Sequence, residues 1–285
     1  MQHGPAVRRR KLGAELRALR ADAGLTSGEA ARLVGWHQSK VSRIETGTSG
    51  VKPSDVRLLL DAYGVDDRQL RELLLVLSGA GDGRRDHWWQ AYRGVLPPTY
   101  RDFISLESQA SAMRTLETSV VPGLLQTPEY ARAVTRAAVG AVDEERLDTL
   151  VEVRLARQDV LRADPPLALS AVLDEAVLHR EVGGPQVMAR QLRRLVEAAR
   201  LPQVQLQVLP FTAGAHIGIT GPFVILSFPS TSDLDVVVLD HLTSSLYLER
   251  KEDLRAYTEA FDSLRIHALS PEDSLDYIAA MSDGA

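Results

Sequence analysis

The chain contains no cysteine. Disulfides, thiolate metal sites and a cysteine nucleophile are therefore excluded. No apolar run approaches the ~20 residues that cross a bilayer, and the first residues form no apolar signal core, so a cytoplasmic location is expected. The seven histidines are scattered, and no pair has the His-x-x-x-His spacing that puts two metal ligands on one helical face. Internal repeats and low-complexity segments are also missing. What is present is an ordinary globular composition, 45% hydrophobic and 25% charged, in a chain of 285 residues. That length accommodates two domains.

The net charge of −5 is unevenly spread. Residues 1–50 hold nine bases (Arg8, Arg9, Arg10, Lys11, Arg17, Arg20, Arg32, Lys40, Arg43) and four acids (Glu15, Asp22, Glu29, Glu45), a net +5 that leaves −10 for the other 235 residues. A basic head on an acidic body presents only one end to phosphate. The cluster Arg8-Arg9-Arg10-Lys11 fits either a backbone or minor-groove contact or a solvated helix start.

Within that head, residues 25–45 read as two short helices joined by a glycine. Thr26 with Glu29 forms a capping-box pattern. Ala30, Ala31, Leu33 and Val34 supply a packed side, on which the small alanines allow close helix crossing. Gly35 supplies the corner, since it takes a left-handed backbone angle at little cost. In the second helix Val41 and Ile44 face inward, which turns Gln38, Ser39, Ser42 and Arg43 outward. Amide, hydroxyl and guanidinium groups are those that read base edges or clamp phosphates.

Leu-Thr, Ala-Ala, Gly, then Gln-Ser-x-Val-Ser-Arg-Ile-Glu resembles the lambda-repressor-like, or Xre-class, helix-turn-helix over residues 11–65. The resemblance implies a five-helix domain in which Gln38, Ser39, Lys40, Ser42 and Arg43 face the groove of a double-stranded DNA operator. It also implies a structural ion pair between Arg20 and Glu45. Ser27 stands where the class often has a phosphate-holding Gln, and His37 where Ser or Thr usually caps the reading helix. Both are counted with the DNA-binding positions, Ser27 with a shorter reach and His37 as an exposed turn residue.

A fifth helix over residues 66–77 ends at Ser-Gly-Ala-Gly-Asp-Gly, which marks a boundary. The expected organisation is a DNA-binding domain over 1–78, a linker over 79–86, a helical connector or dimerisation segment over 87–165 and an α+β domain over 166–285. In the connector, an aromatic helix starts at His87 and Thr99 caps a long helix reaching about Thr118. Helices at 128–139 and 143–162 follow. Beyond Pro166 the period shortens, and strands are predicted at 167–173, 204–209, 223–228, 236–239 and 245–248. Helices are predicted at 185–199, 251–266 and 271–280. Three strands in succession without intervening helices predict a mostly antiparallel sheet.

Val121-Pro122-Gly123-Leu124-Leu125-Gln126-Thr127-Pro128-Glu129-Tyr130, Gly183-Gly184-Pro185, Val208-Leu209-Pro210-Phe211 and Gly221-Pro222-Phe223 are similar to segments of WhiJ-like actinomycete regulators. That likeness spans about residues 10–280. It implies a transcriptional regulator with an antitoxin-like C-terminal domain, acting as a homodimer and modulated by a small partner protein from a neighbouring gene, or by a ligand. An enzyme or ligand sensor joined to a DNA-binding head is the alternative.

No catalytic, cofactor or metal site is predicted. Glu175 and His179 are four apart but lack further ligands. Gly183-Gly184 reads as a tight turn rather than a phosphate loop. Trp88, Trp89, Tyr92 and Tyr100 read as a buried anchor. A cluster of His216, His241 and acids such as Asp233 or Asp235 is what an enzyme reading requires.

Overall fold

In a computed structural model, residues 4–78, 88–92, 94–140, 142–228 and 235–283 are described. The predicted linker 79–86 lies outside them. The chain divides into two compact units, one built on the amino-terminal helices and one containing a sheet.

The first unit comprises α1 (Gly4–Asp22), α2 (Ser27–Leu33), α3 (Gln38–Glu45), α4 (Pro53–Ala62) and α5 (Arg68–Leu77). Its core is Leu12, Leu16, Val41, Ile44, Val56, Leu59, Leu60 and Leu74, all buried, at the helical spacing expected of inward faces. Leu33 departs from the predicted packed side: it is 62% exposed, while Ala30 and Ala31 are buried. Two residues past Ala31 is ~200° around a helix, too far to share its face. After a short 3-10 turn at Trp88–Tyr92, helix α6 spans Pro98–Glu107.

The second unit carries β1 (Ala112–Glu117), α7 (Pro128–Val139), α8 (Glu144–Ala156), β2 (Ala168–Asp174), α9 (Glu175–His179), α10 (Pro185–Ala198) and β3 (Val204–Leu209). There follow β4 (Phe223–Ser227), β5 (Val236–Asp240), β6 (Ser245–Leu248), α11 (Lys251–His267) and α12 (Pro271–Asp283). The sheet order is β3-β2-β1-β4-β5-β6. Strands β1, β2 and β3 are parallel neighbours, whereas β1–β4, β4–β5 and β5–β6 pair antiparallel. On one face α11 sets Phe261 and Leu264 against Leu116, Val172, Phe223, Ile225 and Val237. The outer edge of β3 is covered: Leu269 N donates to Val208 O (2.8 Å), and Val208 N donates to Ser274 Oγ (2.9 Å). A covered edge cannot recruit another strand there.

The sheet is thus mixed, not mostly antiparallel. The difference has two sources. The crossover through α10 makes β2 and β3 parallel, and β1 adds a second parallel pair although its residues read in sequence as the end of a helix reaching Thr118. Ala112-Met113-Arg114-Thr115-Leu116-Glu117 is rich in helix formers, but pairing on both sides in mid-sheet overrides a propensity of a few tenths of a kcal/mol per residue. The connector predicted over 87–165 is corrected with it. It holds β1, which pairs with β2, so no domain boundary falls at 165. The predicted aromatic helix from His87 is only the 3-10 turn, with Trp88 and Trp89 edge to face at 5.9 Å.

The segment Val121–Thr127 is fastened by buried side chains. Val121 N donates to Tyr130 Oη (3.1 Å), and Gln126 Nε2 donates to Val121 O (2.7 Å). Gln191 takes Thr127 N at 2.8 Å and gives its amide to Leu125 O at 2.8 Å. An irregular buried backbone needs such partners, which accounts for the polar residues in an otherwise apolar motif.

Candidate nucleic-acid interface

Helix α2 begins at Thr26, whose hydroxyl accepts from Glu29 N (3.2 Å) while the Glu29 carboxylate accepts from Thr26 N (2.8 Å). Hydrogen bonds from Thr26 hold the Glu29 carboxyl below its ordinary range, the hydroxyl being the larger cause and the backbone N–H the next. Gly35 takes φ +70° at the corner, and α3 starts afresh at Gln38.

On α3, Val41 and Ile44 are buried, and Gln38, Ser39, Ser42 and Arg43 are exposed on the other side. The exposed groups are partly organised. Gln38 Nε2 donates to Ser27 Oγ (3.0 Å), and Arg43 Nε donates to Ser39 O (3.2 Å). Both bonds leave donors over for a base edge. His37, expected as an exposed turn residue, is exposed and also caps α3: its Nδ1 accepts from Ser39 N (3.4 Å) and lies 2.9 Å from Ser39 Oγ. An imidazole nitrogen thus takes the place of the hydroxyl oxygen.

Lys40 departs from its companions. Its Nζ is 2.9 Å from Asp55 Oδ2 on α4 and 3.5 Å above the Trp36 ring, and the residue is half-buried. Sequence reasoning overlooked Trp36 and Asp55; an aromatic shortly before Gln-Ser-Lys was the only local signal. The Arg20 guanidinium donates to both Glu45 oxygens (2.7 and 3.0 Å) and to Leu25 O (2.6 Å). This fastens the end of α1 to the end of α3, and the hydrogen bond to Glu45 raises the Arg20 pKa. Tyr63 is buried beside the pair, and that burial raises its phenol above the usual range.

The basic run 8–11 lies inside α1. Lys11 is only 8% exposed and so is withheld from phosphate; the side chains of Arg8 and Arg10 lie outside the described ones.

In the second unit the other candidate groups occupy structural places. The Glu175 carboxylate accepts from Phe211 N (2.7 Å) and the Tyr277 hydroxyl (2.8 Å), and one oxygen lies 3.2 Å from His179 Nε2. Desolvation opposes its charge, but these bonds outweigh it and hold the carboxyl below its ordinary range. Among the described residues no group of three His, Asp or Glu is placed to hold a metal. His216 Nε2 stands 3.9 Å from Asp174 Oδ2. Asp235 instead accepts from Ser227 Oγ (2.9 Å) and Phe228 N (3.1 Å), at the opposite end of β5 from His241. Asp233 lies outside the described residues.

One acid is strongly perturbed. Burial pushes the Glu117 carboxyl up to about 7, with Asp240 adding to it against the Thr115 hydroxyl and Arg154. A carboxyl whose folded pKa exceeds its ordinary value adds stability that is complete below about pH 4.5 and is lost as pH rises through about 7. Glu117→Gln is expected to remove this slope. Thermal unfolding of both chains at ~pH 5 and ~pH 8 checks it: the variant should gain on the parent at the higher pH, and an equal difference at both would refute the assignment.

This geometry, two short helices crossing at a glycine corner with a solvated polar face on the second, defines a helix-turn-helix. Residues 11–74 match the family described as a helix-turn-helix domain. Residues 100–280, well over half the chain, match the family described as domain of unknown function DUF5753, and the chain belongs to that family. No curated protein and no solved structure is significantly similar to it. Among the described residues no helix is long and apolar enough to cross a membrane.

Proposed function

We propose that the protein is a sequence-specific, cytoplasmic transcriptional regulator of the Xre class, related to the WhiJ-like regulators. In this reading α3 enters the major groove of an operator. The observation that carries it is the division of α3 into a buried side, Val41 and Ile44, and an exposed side of Gln38, Ser39, Ser42 and Arg43. Gln38 and Arg43 read base edges, Ser39 and Ser42 contact bases or phosphate, and Ser27 sets the angle of Gln38 through its hydrogen bond. Lys40 and His37 serve indirectly, one by tying α3 to α4 and the other by capping it. Arg20 and Glu45 brace the unit.

A homodimer sets two such helices about 34 Å apart, or a multiple of it, along one face of the duplex. The DUF5753 domain, which carries no catalytic role in this reading, supplies the dimer contact. It also receives the regulatory input, a small partner protein or a ligand.

The test is binding of the full chain to its selected operator and to scrambled DNA at matched salt. Arg43→Ala and Gln38→Ala are each expected to lower discrimination by about 1–3 kcal/mol, the worth of one bidentate pairing with a base. Full discrimination in both variants would remove the assigned reading face. Repeating the titration with the neighbouring gene's product tests the input: unchanged affinity and no complex would exclude a protein partner.

A further inference from the structure

On the second unit, register places Arg114 of β1 beside Ser170 of β2, and Ser170 beside Gln205 of β3. Strand alternation puts these three on the face that carries Leu116 and Val172 two residues further on. Helix α11 covers that next row with Phe261 and Leu264. Near its end Arg265 Nε donates to Gln207 Oε1 (2.9 Å), while Gln207 Nε2 donates to Arg265 O (3.2 Å). One row nearer the amino ends of the strands a groove of about 640 Å³ opens, lined among others by Ala112, Arg114, Ser170, Arg200, Leu201 and Gln205.

The charge of this groove runs against its surroundings. Residues 51–285 carry a net −10, yet the ionisable groups lining the groove are Arg114 and Arg200, with no carboxylate. Among the described residues neither guanidinium has a hydrogen-bond or ion-pair partner. A guanidinium presents a planar fork of donors that suits a carboxylate.

We propose that this groove binds a small organic acid, its carboxylate held by Arg114 and Arg200 and its apolar body lying along Ala112 and Leu201. The volume is that of a small-molecule site. An added peptide strand would be cut short, because Leu269 and Ser274 already bond the outer edge of β3 at Val208. The inference names a ligand class for the regulatory input proposed above. Binding is measured without DNA, so either reading can fail alone.

The experiment is calorimetric titration of the full chain with 1-naphthoate, with inorganic phosphate and with neutral 1-naphthylmethanol. One saturable site for naphthoate is expected, at least ~10-fold tighter than for the alcohol, a factor of ten corresponding to about 1.4 kcal/mol. Arg114→Gln and, separately, Arg200→Gln are each expected to weaken it about tenfold. Arg193→Gln, on α10 outside the groove, should leave it unchanged. Arg200 precedes β3 in an exposed turn, so its variant remains informative should Arg114→Gln fail to fold. Equal affinity in a folded Arg200→Gln chain, equal binding of the alcohol, tighter binding of phosphate, or no saturable naphthoate binding at ~10 mM would each overturn the proposal.

Discussion

Gly13→Ala is expected to destabilise the amino-terminal unit, against the sign that helix propensity gives. In an ordinary helix interior this exchange stabilises by roughly 0.5–1 kcal/mol. At Gly13, however, an added Cβ would stand 2.4 Å from Ile44 O and 2.6 Å from Glu45 O. Both are backbone atoms at the end of α3, so α1 has to move away from the reading helix. Overpacking of this kind costs about 1–3 kcal/mol, and more where the backbone cannot shift. The displacement also stretches the Arg20–Glu45 pair, so operator binding should fall with stability. Gly28→Ala on α2 is the counterpart: its new Cβ would meet nothing nearer than Thr26 Oγ1 at 4.0 Å, and it should leave stability equal or raised. Calorimetric unfolding of the full chain, with hydrogen exchange over residues 12–45, separates the two. Equal melting of the Gly13 and Gly28 variants would show that α1 and α3 do not touch in this way.

The second large effect belongs to Glu107 and Arg157. Arg157 Nε and Nη2 donate to the two Glu107 oxygens at 2.8 and 2.7 Å, with side-chain exposures of 7% for the arginine and 1% for the glutamate. Removing one partner leaves the other charged and desolvated, a loss of about 3–5 kcal/mol. Glu107→Ala and Arg157→Met should each lower the unfolding midpoint of the sheet-bearing unit by several degrees. The double variant should be much less unstable than the sum of the two, because no charge is then stranded. Additive losses would mean that the pair is not an interacting unit. The pair joins the end of α6 to the turn after α8, 50 residues away in sequence, and neither residue carries a local signal of its role.

Local patterns made the amino-terminal site legible. The Thr26–Glu29 box, Gly35 and the Val41/Ile44 spacing are each settled within one or two helical turns, and the structure carries all three. Lys40 shows where local reading stops. Its position in α3 follows from periodicity, but its engagement with Asp55 and Trp36 depends on how α4 approaches. In the second unit β2–β6 are visible as short β-branched or alternating runs. Strand β1 is hidden because its residues favour a helix in isolation.

By itself, then, the order of residues determined the helix-turn-helix, its caps, its polar face and the contrast between a basic head and an acidic body, since each rests on neighbours within a few positions. Tertiary structure alone decided that Ala112–Glu117 is a strand in mid-sheet, that Arg157 meets Glu107 and that Gly13 touches α3. Those outcomes depend on partners dozens of residues distant, whose pairing and packing energies exceed any preference of the isolated segment.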